Sequence, residues 1–311
     1  MAITVSTPNN VESNNGNSLA VFKESTTNKF YVKDINGQIQ DIASGLGLTV
    51  IFEIGTGANS TQRIGSGTAS AVGSTISGGT IQNASGLSST IGGGTTNTAS
   101  NKNSTVSGGS NNIASNPNST VSGGSSNTAS GYVYGKSTVG GGNSNTASAD
   151  NSTVSGGFEN TASGEYSTTV GGGNSNTAST NYATVSGGQS HTASGKNSTV
   201  SGGTTNIASG SDSTVGGGNT NTASGVYSVV GGGNTNTASN LSSTLSGGSG
   251  NTSSGSASTV GGGQTNTAKG GNSTVSGGGY NTSSASNSTV SGGYGNGGSG
   301  GFATVSGGGY N

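Results

Sequence analysis

From Ile76 onward an aliphatic residue followed by a Gly-rich step returns about every fifteen residues, and this period constrains the fold more than any other feature of the 311 residues. The marks fall at Ile76, Ile91, Val106, Val121, Val139, Val154, Val170, Val185, Val200, Val215, Val230, Leu245, Val260, Val275, Val290 and Val305. Every interval is 15 residues except Val121 to Val139, which is 18, and Val154 to Val170, which is 16. Within each copy, as in Ser104 to Ser115, Ser-Thr usually precedes the mark and a Gly pair follows it. Six residues after the mark comes Asn, as at Asn112, and eight after comes a small residue, as at Ala114. Ser-Thr-Val-Ser reads as a short strand, the Gly pair as a tight bend, and Asn-Thr-Ala-Ser as a second strand entered through a residue tolerant of left-handed geometry. Two strands and two turns make one coil. The expected fold is therefore all-β, a parallel β-solenoid of about sixteen coils with 15-residue repeats.

Composition alone argues the other way, since only 25% of residues are hydrophobic and 65 are Gly. Charged residues are just 5%, however, whereas disordered chains carry many, and a flexible Gly/Ser spacer has no reason to keep a period. Each coil offers its core one aliphatic side chain and one Ala. That burial is small against the entropy of ordering fifteen residues, so backbone pairing and Asn and Thr ladders must contribute, and lateral contact with identical stacks must add area. A homotrimer is the expected assembly.

No apolar run approaches 20 residues, which leaves no candidate for a membrane-spanning helix and no membrane insertion in the reading. There is no Cys, hence neither disulfides nor thiolate metal sites. A net charge of −1 gives no electrostatic reason to expect nucleic acid or anionic lipid as partner.

The text changes character near residue 75, the first 74 residues holding 9 of the 17 charged groups. The expected organisation is an attachment arm and hairpin over 1–45, a transition strand and degenerate coil over 46–75, and a β-roll shaft over 76–311. Met1 to Ala20 is polar and Asn-rich, without the basic start and apolar core of a secretory signal, and reads as an extended arm. Residues 29–35 and 38–42 flank Asn36-Gly37, the pair best suited to a two-residue turn, and read as a β-hairpin. Leu46 to Ile54 is the most apolar stretch and reads as a strand that packs on its copies in the trimer, and Ile64-Gly65-Ser66-Gly67 as a degenerate first coil.

The run Ser137-Thr-Val-Gly-Gly-Gly-Asn-Ser-Asn-Thr-Ala-Ser148, repeated with small changes at 213–224, resembles the head repeats of trimeric autotransporter adhesins, the YadA-like heads. The resemblance covers roughly residues 74–311. It implies a left-handed parallel β-roll, three of which join into a stiff trimer. The signal peptide, coiled-coil stalk and β-barrel anchor of that family have no counterpart in this text. Residues 30–37, Phe-Tyr-Val-Lys-Asp-Ile-Asn-Gly, resemble instead the start of bacteriophage tail-fibre and other virion-fibre proteins, in which the amino end docks on the particle. The resemblance implies a virion fibre, with Phe22, Phe30, Tyr31 and Ile35 as candidates for contact with a virion structural protein. A cellular surface adhesin or filament subunit is the alternative, and an ice-binding repeat protein, prompted by the Thr before most marks, a remote third.

Catalysis has few candidates. Asp150 and Glu165 each stand eleven residues after a mark, which predicts one column, about 5 Å apart on adjacent coils, at solvated turns with nothing to raise one pKa for acid duty. The expectation is no enzyme, no catalytic residue, no metal and no cofactor. His191, the only imidazole, occupies the Asn position and reads as a hydrogen-bonding stand-in. Calcium-binding rolls need an Asp per repeat where this chain has Ser, Thr or Asn. Binding falls to the surface. Aromatics cluster in two turn columns, Phe158, Tyr280, Tyr294 and Tyr310 after the Gly pairs and Tyr166, Tyr182, Tyr227 and Phe302 in the opposite bend. Tyr294, Phe302 and Tyr310 at the distal end, and Tyr132 and Tyr134 in the three-residue insertion, are the candidate contacts for a host-surface glycan or protein.

Overall fold

The structure, a computed structural model, describes residues 9–12, 18–23, 30–33, 39–41, 52–54, 56, 59–63, 67–131, 135–166 and 168–311. Ile35, the Asn36-Gly37 turn, residues 46–51 and 64–66, Tyr132 and Tyr134 lie outside the described residues. Every element among the described residues is a strand, and none is a helix able to cross a membrane.

The repeats build a parallel β-solenoid. Thr105–Val106 pairs with Thr90–Ile91 on one side and Thr120–Val121 on the other, mark on mark, and the same register continues to Thr304–Val305. A second sheet stacks the Asn-side strands, Ala on Ala, as Ile113–Ala114 pairs with Thr98–Ala99 and Thr128–Ala129. A third ladder, of single bridged residues just after the Gly pairs, runs from Thr80 to Gly309 and was not anticipated. The strand edge at Phe52–Ile54 and the one at Thr304–Val305 stand a whole shaft apart, so the first sheet is an open ladder.

The alternation of the short strands decides what is inside. Each mark except the last, Val305, and each Ala eight residues after a mark is fully buried, and the Thr before them is half-exposed in most coils. Backbone N–H groups of the strands donate to the following coil, Thr105 to the Ser119 carbonyl at 2.9 Å and Ser115 to that of Ala129 at 3.0 Å. Residues at the two turn tips donate backward, Asn111 to Thr95 at 3.0 Å and Asn118 to Lys102 at 2.8 Å. Every coil is thereby held from both sides. The second Gly of each pair is required by space as well as by φ: Gly109 has φ of 87°, and a Cβ there would lie 2.0 Å from the Gly124 carbonyl oxygen.

The shaft begins earlier than its first aliphatic mark. Thr61–Arg63 pairs in parallel with Thr75–Ile76, placing Gln62 beside Ile76, and Gly67–Ala69 pairs with Gln82–Ala84. The degenerate first coil therefore has a polar residue at its mark, two positions before the expected Ile64. Phe52–Ile54 lies antiparallel to Thr61–Arg63 at the edge of the same sheet, on its own chain. Farther toward the amino end, Asn9–Glu12, Ser18–Lys23, Phe30–Lys33 and Ile39–Asp41 are consecutive antiparallel strands.

Candidate functional site: the turn columns and the buried Asn ladder

In most coils the residue six after the mark is a buried Asn whose amide hydrogens and oxygen are all hydrogen-bonded. Asn221 shows the pattern: Nδ2 donates to the carbonyls of Gly217 at 2.8 Å and Gly233 at 2.9 Å, and Oδ1 accepts from the Asn236 backbone N–H at 3.0 Å. A buried amide is tolerated when all its capacity is matched, and here one side chain ties its own bend to the next coil. The ladder is continuous from Gln82, which starts it, to Asn311, with His191 in the middle.

His191 does stand in for Asn on one side. Its backbone N–H donates to Asn176 Oδ1 at 3.0 Å, and its Nδ1 accepts from the Asn206 N–H at 3.0 Å. Its Nε2 is buried without a hydrogen bond in good geometry. Burial pushes the imidazole below its usual pKa, against the smaller opposing pull of the Gly203 and Asn206 backbone groups, so the ring is neutral.

The supposed carboxylate pair does not exist. Asp150 is bridged to Tyr166, because the 16-residue coil carries its extra residue before this point and shifts Glu165 out of the column. Asp150 is also buried, at 6% exposure, and its Oδ1 accepts from the Gly135 N–H at 3.2 Å where the inserted loop rejoins the coil. It anchors a loop, whereas Glu165 is exposed. No group of three or more His, Cys, Asp or Glu among the described residues is placed to hold a metal ion.

The exposed aromatics of the repeats sit at the two bends, on turns or on the single bridged residues beside them. After the Gly pairs, Tyr280, Tyr294 and Tyr310 form a row, with ring centroids 5.2 Å apart at 55° and then 5.6 Å apart at 72°. Sequence reasoning placed all three in this turn column but took only Tyr294 and Tyr310 as candidate contacts, although the offset of Tyr280 from Val275 equals that of Tyr310 from Val305. Desolvation first, then the neighbouring phenols of Tyr310 and Tyr280, push Tyr294 above its usual pKa. Phe302 does not join this row: it lies in the opposite bend, 79% exposed. On that side Tyr166 and Tyr182 stack, centroids 6.4 Å apart and planes at 20°. Of the amino-terminal candidates, Phe22 is the register partner of Tyr31, and Phe30 that of Lys23.

No family model and no curated protein matches this chain. The geometry of the columns is therefore what a functional reading has to rest on.

Proposed function

We propose that the chain is a structural and adhesive fibre of a virion, a homotrimer docked by its amino-terminal strands on a virion structural protein and meeting a host surface through its turns. The observation that carries this reading is the unbroken one-to-one coil register from Thr75–Ile76 to Thr304–Val305, with the aromatic side chains carried outward on turns. A uniform stack of this kind is stiff along its axis and presents side chains at fixed intervals. It suits a spacer that carries contacts. The left-handed roll and threefold assembly follow from the likeness of residues 137–148 to adhesin heads, and the thin Val and Ala core supports lateral association. A trimer shaft about 75 Å long is expected from sixteen coils at roughly 4.8 Å each. Sedimentation with small-angle scattering tests it, and a compact monomer overturns the assembly. Micrographs of particles and cells separate a virion fibre from a cell-surface adhesin or filament subunit.

One observation favours a second reading. The Asn-side strands carry their own half-exposed Thr column, as at Thr128, Thr146 and Thr161, with Ser two residues on at Ser130, Ser148 and Ser163. Only one Thr column was expected from sequence. Two hydroxyl columns side by side are what an ice-binding face requires, and an ice-recrystallisation assay of the intact protein decides it.

A further inference from the structure

The bend opposite the Gly pairs carries a row of side chains at one residue per coil, Tyr182, Asn197, Asp212 and Tyr227, and the ring of Tyr166, from the neighbouring column, stacks on Tyr182 at its end. We propose that this row is a lateral binding site for a linear glycan laid along the shaft, a deepening of the adhesive reading on which it rests.

The backbone of the row is fixed. The Tyr182 N–H donates to the Tyr166 carbonyl at 2.9 Å, that of Asn197 to Asn181 at 3.0 Å, that of Asp212 to Lys196 at 2.7 Å, and that of Tyr227 to Ser211 at 2.9 Å. Tyr182, Asn197, Asp212 and Tyr227 all have positive φ, between 56° and 61°. Asn is at home there, and other coils use it at Asn103, Asn118, Asn151, Asn272 and Asn287. Tyr is not, since a bulky side chain is disfavoured in the left-handed region. Two tyrosines at turns where other coils use Asn, each with half of its side chain in solvent, give the coil no burial that requires an aromatic ring and point to a role outside the fold.

The order of the row suits a carbohydrate. Aromatic groups stand at both ends, Tyr166 with Tyr182 and then Tyr227, and two polar groups stand between. Asn197 Nδ2 donates to Asp212 Oδ1 at 2.9 Å, which fixes both groups and leaves the amide oxygen and the second carboxylate oxygen to accept from ligand hydroxyls. Rings that meet sugar C–H groups, flanking acceptors that meet hydroxyls, give a site with orientation and little ordering cost. The coil pitch, about 4.8 Å, is close to the advance of an extended pyranose chain per residue. Tyr182 and Tyr227 are three coils apart, so a short oligosaccharide spans the polar pair and reaches both.

The experiment uses the intact protein on immobilised β-1,4-glucan, β-1,4-linked N-acetylglucosamine polymer, α-1,6-glucan and β-1,4-linked mannan. Binding to one of these is expected, with a loss of about ten-fold or more in the double variant Tyr182→Asn with Tyr227→Asn, from roughly three- to ten-fold per ring. Asn fits the local φ, so the variant keeps the fold, which thermal unfolding monitors. Ile81→Asn, a like exchange at positive φ far along the shaft, leaves binding unchanged. Retention on none of the four, or undiminished retention of the double variant, overturns the site. So does a change of oligomeric state without loss of retention, which makes the row a contact between copies. Each of those results leaves the fibre reading standing, because that reading falls only to hydrodynamics and micrographs.

Discussion

Asn221 makes five hydrogen bonds, one through its backbone N–H to Asn206 Oδ1, one through its backbone carbonyl from the Ile207 N–H and three through its amide, while its neighbour on the surface turn, Thr220, bonds only locally by side chain. Asn221→Ala strips the Asn236 N–H of its acceptor and removes two donors, and is expected to cost about 2–4 kcal/mol in chemical denaturation. His191 belongs to the same ladder with one nitrogen unmatched. Its pKa is lowered in the folded state, so the unfolded chain binds a proton first as pH falls through about 6.5. Stability is then constant above that value, declines below it, and levels off once the folded ring also protonates. His191→Asn restores the missing donors and is expected to raise the melting temperature and flatten the slope between pH 6.5 and the acid limb. The role of the Asn column was legible because one residue type recurs at one offset. The mismatch at Nε2 was not, because it depends on where the Gly203 carbonyl falls relative to an imidazole.

The coil is a unit in which small changes at one turn are felt at the next strand. Where Asn101 opens the bend, Ser104 Oγ donates to its carbonyl at 2.7 Å and accepts from its N–H at 3.2 Å. In the coils opened by Gly210 and Gly225, the buried hydroxyls of Ser213 and Ser228 have no partner. Ser228→Ala is therefore expected to be neutral or stabilising by up to about 1 kcal/mol, and Ser104→Ala to cost about that much, as read from paired unfolding curves. Gly218→Ala is the severe case, since its Cβ would lie 2.1 Å from the Gly233 carbonyl oxygen at a φ of 87°; loss of cooperative unfolding by circular dichroism is expected. Strand and turn positions were readable from the Thr-Val and Thr-Ala pairs. Counting from the marks failed in two places: the 16-residue coil, where it matched Asp150 to Glu165 and the ladder matches Asp150 to Tyr166, and the first coil, where polar Gln62 hides a mark.

At the scale of the whole molecule, sequence distance and spatial distance are locked together: nearly every strand contact joins residues one coil apart, so the shaft has no long-range pairing to find. Limited proteolysis of the free protein is expected to leave a resistant fragment starting near residue 60, because pairing of the shaft begins at Thr61–Arg63 and each later coil is bonded on both sides. A fragment starting well inside the repeats contradicts that. The coils that break the period have a value of their own. In a run of near-identical units, a slip by one whole coil preserves most pairings, and nothing in Thr-Val or Thr-Ala opposes it. The 18-residue coil anchored by Asp150 and the 16-residue coil at Tyr166 oppose it, because a slip would set their extra residues against coils of a different length. They act as keys that set the alignment during folding, both within residues 131–191. Beyond His191, where every interval is 15, unequal recombination between copies can remove or add a whole unit without disturbing a turn. The reach of the shaft then evolves in steps of one coil, with the keyed segment held constant.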